Sequence, residues 1–190
     1  MRLLQIQANG SFSLVNYDST SIPPYAILSH TWSENNEDEV SFSDMRNETG
    51  KDKRGYAKLK FCAEQATKDG LEHFWVDTCC IDKSSSAELS EAITSMFRWY
   101  KNSAQCYVYL ADVTTREEKV DHETLDHEAP DVTWVSDFQT SRWFTRGWTL
   151  QELLAPRVVL FFSRDGRLLG DKFKLEQHIH EVTRIPISAL

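Results

Sequence analysis

Short apolar runs alternate along this chain with stretches in which apolar residues recur every three or four positions, a pattern of strands and helices in succession. Met1 to Ile6 runs straight into a strand-like pattern. Ser13 to Val15 and Tyr25 to Ser29 read as short strands, the second starting after the Pro23-Pro24 turn and ending in the polar string Ser29-His30-Thr31-Trp32. The acidic stretch from Glu34 to Asp44 reads as a loop. Tyr56, Leu59, Ala63 and Ala66 then recur at helical spacing until Gly70 supplies a stop. Phe74-Trp75-Val76-Asp77 is near-continuously apolar, which suits an interior parallel strand covered on both faces, with Asp77 and Asp82 beyond its carboxyl end. Ser85 and Glu88 have the spacing of a capping box, and Leu89, Ile93, Met96, Phe97 and Tyr100 give the following helix an apolar stripe expected to face the core. Cys106 to Leu110 is the next strand.

Residues 114–135 are dominated by Glu, Asp, Lys and His without either period and read as an inserted acidic, solvated loop. A tryptophan-rich short helix follows. Arg157 to Phe162 is a further strand, Arg164-Asp165-Gly166 a turn, and Phe173 to Val182 an amphipathic helix. Strand and helix in alternation predict an α/β domain with a mainly parallel sheet flanked by helices. The apolar last residues, Ile185 to Leu190, suggest a cut from a longer chain.

Composition narrows the function. The 190 residues, 41% of them hydrophobic, suffice for one domain, and no repeat or low-complexity linker divides them. A formal net charge of −8 with scattered lysines and arginines argues against a nucleic-acid surface. Without the apolar core of a signal peptide or a run long enough for a membrane span, the chain reads as soluble and cytoplasmic. Cys62, Cys79, Cys80 and Cys106 lack paired spacing and the histidines are dispersed, so neither a disulfide framework nor a metal site is expected. GxGxxG, GxxxxGK[ST] and GxSxG are all missing, which disfavours dinucleotide oxidoreductases, P-loop NTPases and α/β-hydrolases.

Candidate chemistry gathers at the carboxyl ends of the strands, where open α/β sheets bind ligands. That rule brings together Ser29, His30 and Trp32 with Asp77, Cys80 and Asp82. The segment Arg142-Trp143-Phe144-Thr145-Arg146-Gly147-Trp148-Thr149-Leu150-Gln151-Glu152 supplies a second wall. Its arginines and glutamate are poor material for a plain core and suit a polar cleft. Each candidate has a second reading. Glu152 lies three residues after Thr149 and fits a capping box, Asp82 fits a turn cap, and Cys80 fits a small core hydrophobe or the partner of His30. Arg142 and Arg146, four apart, share a helix face as an anion clamp or pair with nearby acids. Trp75 and Trp99 read as core, whereas Trp148 between Gly147 and Thr149 reads as ligand-facing.

Three blocks carry a family resemblance: Pro23 to Trp32 (PPYAILSHTW), Trp75 to Asp82 (WVDTCCID) and Arg146 to Leu153 (RGWTLQEL). In that order they resemble the fungal heterokaryon incompatibility (HET) domain over residues 1–190. The start Met1-Arg2-Leu3-Leu4 resembles members that continue into a NACHT domain and WD repeats. The resemblance implies a cell-death effector that assembles through that downstream region. HET domains are in turn distantly similar to Toll/interleukin-1 receptor (TIR) domains, flavodoxin-like sheets of which several cleave NAD. The TIR pattern of tryptophan, cysteine, two variable residues, glutamate and leucine matches Trp148 to Leu153 with Thr149 in place of cysteine. It implies a catalytic Glu152, NAD as substrate and no cofactor; the strand-end rule and side-chain chemistry make Ser29, His30, Trp32, Asp77, Cys80, Arg142, Arg146 and Trp148 the substrate-binding candidates. The alternative is a non-catalytic adaptor that recruits a partner through its cleft.

Overall fold

The computed structural model describes residues 1–115 and 133–190. Seven strands form one mixed sheet: β1 (Arg2–Ile6), β2 (Phe12–Asn16), β3 (Ala26–His30), β4 (His73–Trp75), β5 (Gln105–Leu110), β6 (Val159–Ser163) and β7 (Leu168–Asp171). Their order is β2-β1-β4-β3-β5-β6-β7. The four central strands β4, β3, β5 and β6 are parallel, and β1, β2 and β7 extend the sheet antiparallel at its two sides. Taken in chain order the parallel strands lie 2-1-3-4, so the topology reverses between β3 and β5.

The helices are α1 (Phe42–Arg46), α2 (Tyr56–Lys68), α3 (Asp77–Cys80), α4 (Ser86–Asn102), α5 (Thr133–Thr140), α6 (Thr149–Leu154) and α7 (Glu176–Thr183). Helix α2 buries Leu59, Cys62, Ala63 and Ala66 as their spacing predicts. It ends in a Schellman arrangement: Leu71 N–H donates to the Ala66 carbonyl and Gly70 N–H to that of Thr67, with Gly70 at φ 72°.

Strand β3 is buried throughout, and its alternation sorts the chemistry. Leu28 and His30 share a face with Tyr107, Tyr109 and Phe162, which meet Asp69 and Phe61 at α2. Ile27 and Ser29 share the other face with Trp75, Cys106, Val108 and Phe161, under Tyr100 of α4, α6 and the 3-10 turn Arg142–Thr145. The neighbours Ser29 and His30 therefore serve different sides of the sheet.

Several expectations need correction. The acidic stretch after Glu34 holds a 3-10 turn, Asn36–Asp38, and helix α1, started by a reciprocal Ser41–Asp44 capping box. Within it Glu39 is buried against Lys58, so part of the stretch is interior. The stripe on α4 faces the core only in part: Tyr100 is buried and Leu89 and Met96 pack against the core, whereas Ile93 is 44% and Phe97 52% exposed. Ser85 caps α4 by accepting from Glu88 N–H, but the Glu88 carboxylate accepts from Asp82 N–H and pairs with Arg2 instead of closing the box. The strand at Phe74 is shorter than expected, because α3 begins at Asp77. Strand β7 and helix α5, the latter overlapping the end of the expected insertion, were not among the expected elements. Residues 116–132 of that insertion lie outside the described residues.

Candidate functional site

The expected tryptophan-rich helix is two pieces. The 3-10 turn Arg142–Thr145 is capped by Ser141, and α6 follows after Arg146-Gly147-Trp148. The break re-aims the side chains. Trp143 is fully buried, and its indole N–H donates to Ser29 Oγ at 2.7 Å. Because that lone pair is occupied from above, the Ser29 hydroxyl turns its proton to Glu152 Oε2 at 2.6 Å. Arg146 grips the same carboxylate with two parallel bonds, Nη1 to Oε2 and Nη2 to Oε1, both 2.8 Å. Glu152 is only 2% exposed.

This geometry removes the helix-capping reading of Glu152. Helix α6 has no side-chain cap at its start, and Thr149 Oγ1 donates to the Trp143 carbonyl at 2.6 Å, tying helix to turn. The Glu152 carboxylate instead closes a chain of donors running from Trp143 through Ser29. Burial weakens Arg146's hold on its proton, but the Glu152 charge more than reverses that and raises the guanidinium pKa.

A second cluster sits at the end of β3. His30 Nε2 meets Asp77 Oδ1 at 3.0 Å, and Trp32 Nε1 donates to Asp77 Oδ2 at 2.9 Å. Burial alone would raise the Asp77 pKa. The His30 hydrogen bond and the charges of His30, Lys83 and Arg146 outweigh it and hold the carboxylate below its ordinary range. Lys83 places its ammonium 3.8 Å from the centroid of the Trp32 ring, and burial of that ammonium pushes its pKa down. Behind them Lys58 donates to the Thr31 carbonyl at 2.9 Å and pairs with Glu39, which also accepts from Ser33 N–H at 2.7 Å. The turn carrying Trp32 is thus fixed from both sides.

Between these clusters lies a cleft of about 480 Å³, walled by Trp32, Asp77, Lys83, Tyr100, Arg146, Trp148 and Glu152. Its size falls in the range of small-molecule sites. Trp148 is 47% exposed at the rim of this cleft. Five sequence candidates, Trp32, Asp77, Arg146, Trp148 and Glu152, line this space. Ser29 and His30 are buried behind it and act on it through Glu152 and Asp77. Cys80 does not line it. Its sulfur accepts from Val76 N–H at 3.4 Å as a packed core thiol, and His30 is engaged by Asp77 rather than by a thiol. Asp82 caps the turn before α4, accepting from Ser84 N–H and Oγ. Trp75 is buried as expected, with Trp99 packed against it.

Arg142 and Arg146 form no clamp. Arg142 extends to Glu34 at 3.2 Å, mostly exposed, and lines a neighbouring cleft, because the 3-10 turn breaks the helical register that would have aligned the two. Lys83, Lys58 and Glu39 were not reached from sequence, and Trp143 only as part of the Arg142-to-Glu152 segment. Their partners lie far along the chain, and only the crowding of aromatics and charges near Trp143 gave any signal.

An α/β domain with buried carboxylates gathered at the carboxyl ends of its parallel strands is the class that fold and site define. Residues 25–152 match the family described as "Heterokaryon incompatibility protein (HET)", and the chain belongs to that family. It is 52% identical over 191 aligned residues to "Vegetative incompatibility protein HET-E-1" of Podospora anserina. The match covers 100% of this chain but spans only 13% of that relative's length. No solved structure matches the chain. Among the described residues no helix is long and apolar enough to cross a membrane.

Proposed function

We propose that this chain is a cell-death effector domain of heterokaryon incompatibility and that it acts by cleaving the nicotinamide–ribose bond of NAD at Glu152. The observation that carries the reading is a fixed carboxylate on the wall of a ligand-sized cleft between two accessible tryptophans, Trp32 and Trp148. In the reaction the C1′–N bond breaks and its electron pair neutralises the pyridinium. Positive charge grows on the ribose, and water adds at C1′ with loss of a proton. A preorganised carboxylate stabilises that charge as it forms. Glu152 Oε1 accepts one bond, from Arg146, and so keeps acceptor capacity for a ribose hydroxyl. Trp148 offers a face for the nicotinamide ring, and Lys83, whose ammonium has no carboxylate within ion-pair distance among the described residues, offers a charge to phosphate. The Trp148-to-Leu153 pattern shared with TIR domains and the 2-1-3-4 strand order support the same reading. Assembly through a downstream NACHT and WD-repeat region belongs to the proposal and would bring such domains together.

A non-catalytic adaptor is the second reading, favoured by the exposed apolar side chains of Ile93, Phe97, Trp148 and Leu150 beside the cleft. The test measures nicotinamide released from NAD by the purified chain, alone and with an inducible dimeriser fused after Leu190. Parent protein is expected to release nicotinamide, more so when dimerised, and the folded double variant Arg146→Met/Glu152→Gln is expected to release none. Absence of release by dimerised parent, or equal release by the double variant, would overturn the catalytic reading.

A further inference from the structure

The cleft that holds Glu152 lies beside β4 and β3, yet the strand order reverses between β3 and β5, and that reversal is where open α/β sheets bind ligands. A second cleft of about 460 Å³ occupies the reversal itself. Thr31 leaves the end of β3 on one side of it and Ala111 leaves the end of β5 on the other, and its charged lining is mixed: Arg54, Lys58 and Arg142 with the carboxylates of Glu34, Asp38 and Asp112. Thr31 and Trp32 line both clefts, so this short segment borders two spaces of nearly equal size.

That segment is held firmly. Asp77 fixes the indole N–H, the Lys83 ammonium, which belongs to the Glu152 cleft, lies over the ring, and Lys58 binds the carbonyl of Thr31 behind it. The two arginines of the second cleft are less committed. Arg54 is exposed and makes no ion pair among the described residues, and Arg142 holds only the largely exposed Glu34. An aromatic wall for a flat base, two arginines for phosphate and the Asp38 carboxylate for a ribose diol are together the complement of a nucleotide.

We propose that the cleft between β3 and β5 is a second ligand subsite that takes the purine nucleotide end of a two-lobed ligand, with Trp32 bordering both it and the subsite at Glu152. The identity of the whole ligand as a dinucleotide rests on the NAD reading; the nucleotide subsite does not. It also gives Arg142 a place apart from Arg146, since the two arginines serve different lobes.

Titration of the whole chain with AMP, followed by calorimetry, tests this without any bond to cleave. Parent protein is expected to bind AMP with one site. Ala111→Trp, which fills the second cleft from an exposed position far from Glu152, is expected to raise the dissociation constant at least tenfold. Arg54→Glu is expected to weaken AMP by a similar factor while changing adenosine binding less than threefold, and it serves should the tryptophan variant misfold. A parent that does not bind AMP at millimolar concentration, or folded variants that bind it like the parent, would overturn the subsite. AMP binding by a chain that releases no nicotinamide even when dimerised would leave the subsite standing and remove the NAD chemistry.

Discussion

Separating Arg146 from Glu152 is expected to destabilise the domain by several kcal/mol, and removing both is not. The side chains are 18% and 3% exposed and joined by two 2.8 Å bonds, so the Glu152 carboxylate above all has little water as an alternative partner. Deleting one member of such a buried pair costs about 3–5 kcal/mol, mostly for stranding the other charge, whereas replacing both by groups of similar volume is close to neutral. A domain of this size loses roughly 2–4 °C of melting temperature per kcal/mol, so Arg146→Met and Glu152→Gln should each melt about 6–20 °C below the parent. Glu152→Gln keeps a partner for Ser29 but leaves the guanidinium unpaired. Urea denaturation of the parent, both single variants and the double variant gives the cycle, with an expected coupling of at least about 2 kcal/mol. Single variants within about 1 kcal/mol of the parent, with additive effects, would refute the reasoning. The cycle also bears on function: loss of activity in Glu152→Gln alone would mix chemistry with unfolding, and only the double variant separates them.

Ser29→Ala should cost about 1–3 kcal/mol, because it removes one bond to the Glu152 carboxylate and leaves the buried Trp143 N–H without its acceptor; chemical denaturation measures it. Phe97→Lys should change stability by no more than about 0.5 kcal/mol in the same assay, since Phe97 is 52% exposed, whereas a core-facing stripe would require a loss of several kcal/mol. Burial alone would raise the Asp44 pKa, but its bonds to Lys53 and Ser41 lower it to about 2 from 3.8. A carboxyl depressed on folding contributes stability that is complete above its unfolded pKa and lost as pH falls through the folded one. After solvent screening of this near-surface pair, Asp44 should supply about 1 kcal/mol that disappears between roughly pH 4 and pH 2, and Asp44→Asn should flatten that part of the stability-versus-pH curve.

The parallel core was legible because β3, β5 and β6 are compact apolar runs between turn signals, and α2 because Leu59, Ala63 and Ala66 keep period until Gly70. Helix α1 was not, since five residues, FSDMR, carry no full period; the Ser41–Asp44 cap was its one local signal. The α4 stripe has the correct period but splits its neighbours: Tyr100, Leu89 and Met96 meet the core, whereas Ile93 faces the cleft and Phe97 is exposed. Periodicity locates a face but does not say what it meets. At the site, the fold brings the blocks around Trp32, Asp77 and Glu152 to one cleft, the first two beyond the ends of β3 and β4 and the third on α6. What each carboxylate binds could not be read, because Glu152 meets Ser29 across 123 positions and Arg146 across a spacing of six that no continuous helix would align.

The central claim, that the domain kills by consuming NAD at the Glu152 cleft, is tested most directly by following intracellular NAD and membrane integrity together in fungal cells after induced expression of the dimerised domain. The account expects NAD to collapse before membranes fail in cells carrying the parent, and both to hold in cells carrying equal amounts of folded Arg146→Met/Glu152→Gln. Cells that die with NAD intact, or that die equally with the double variant, would contradict it.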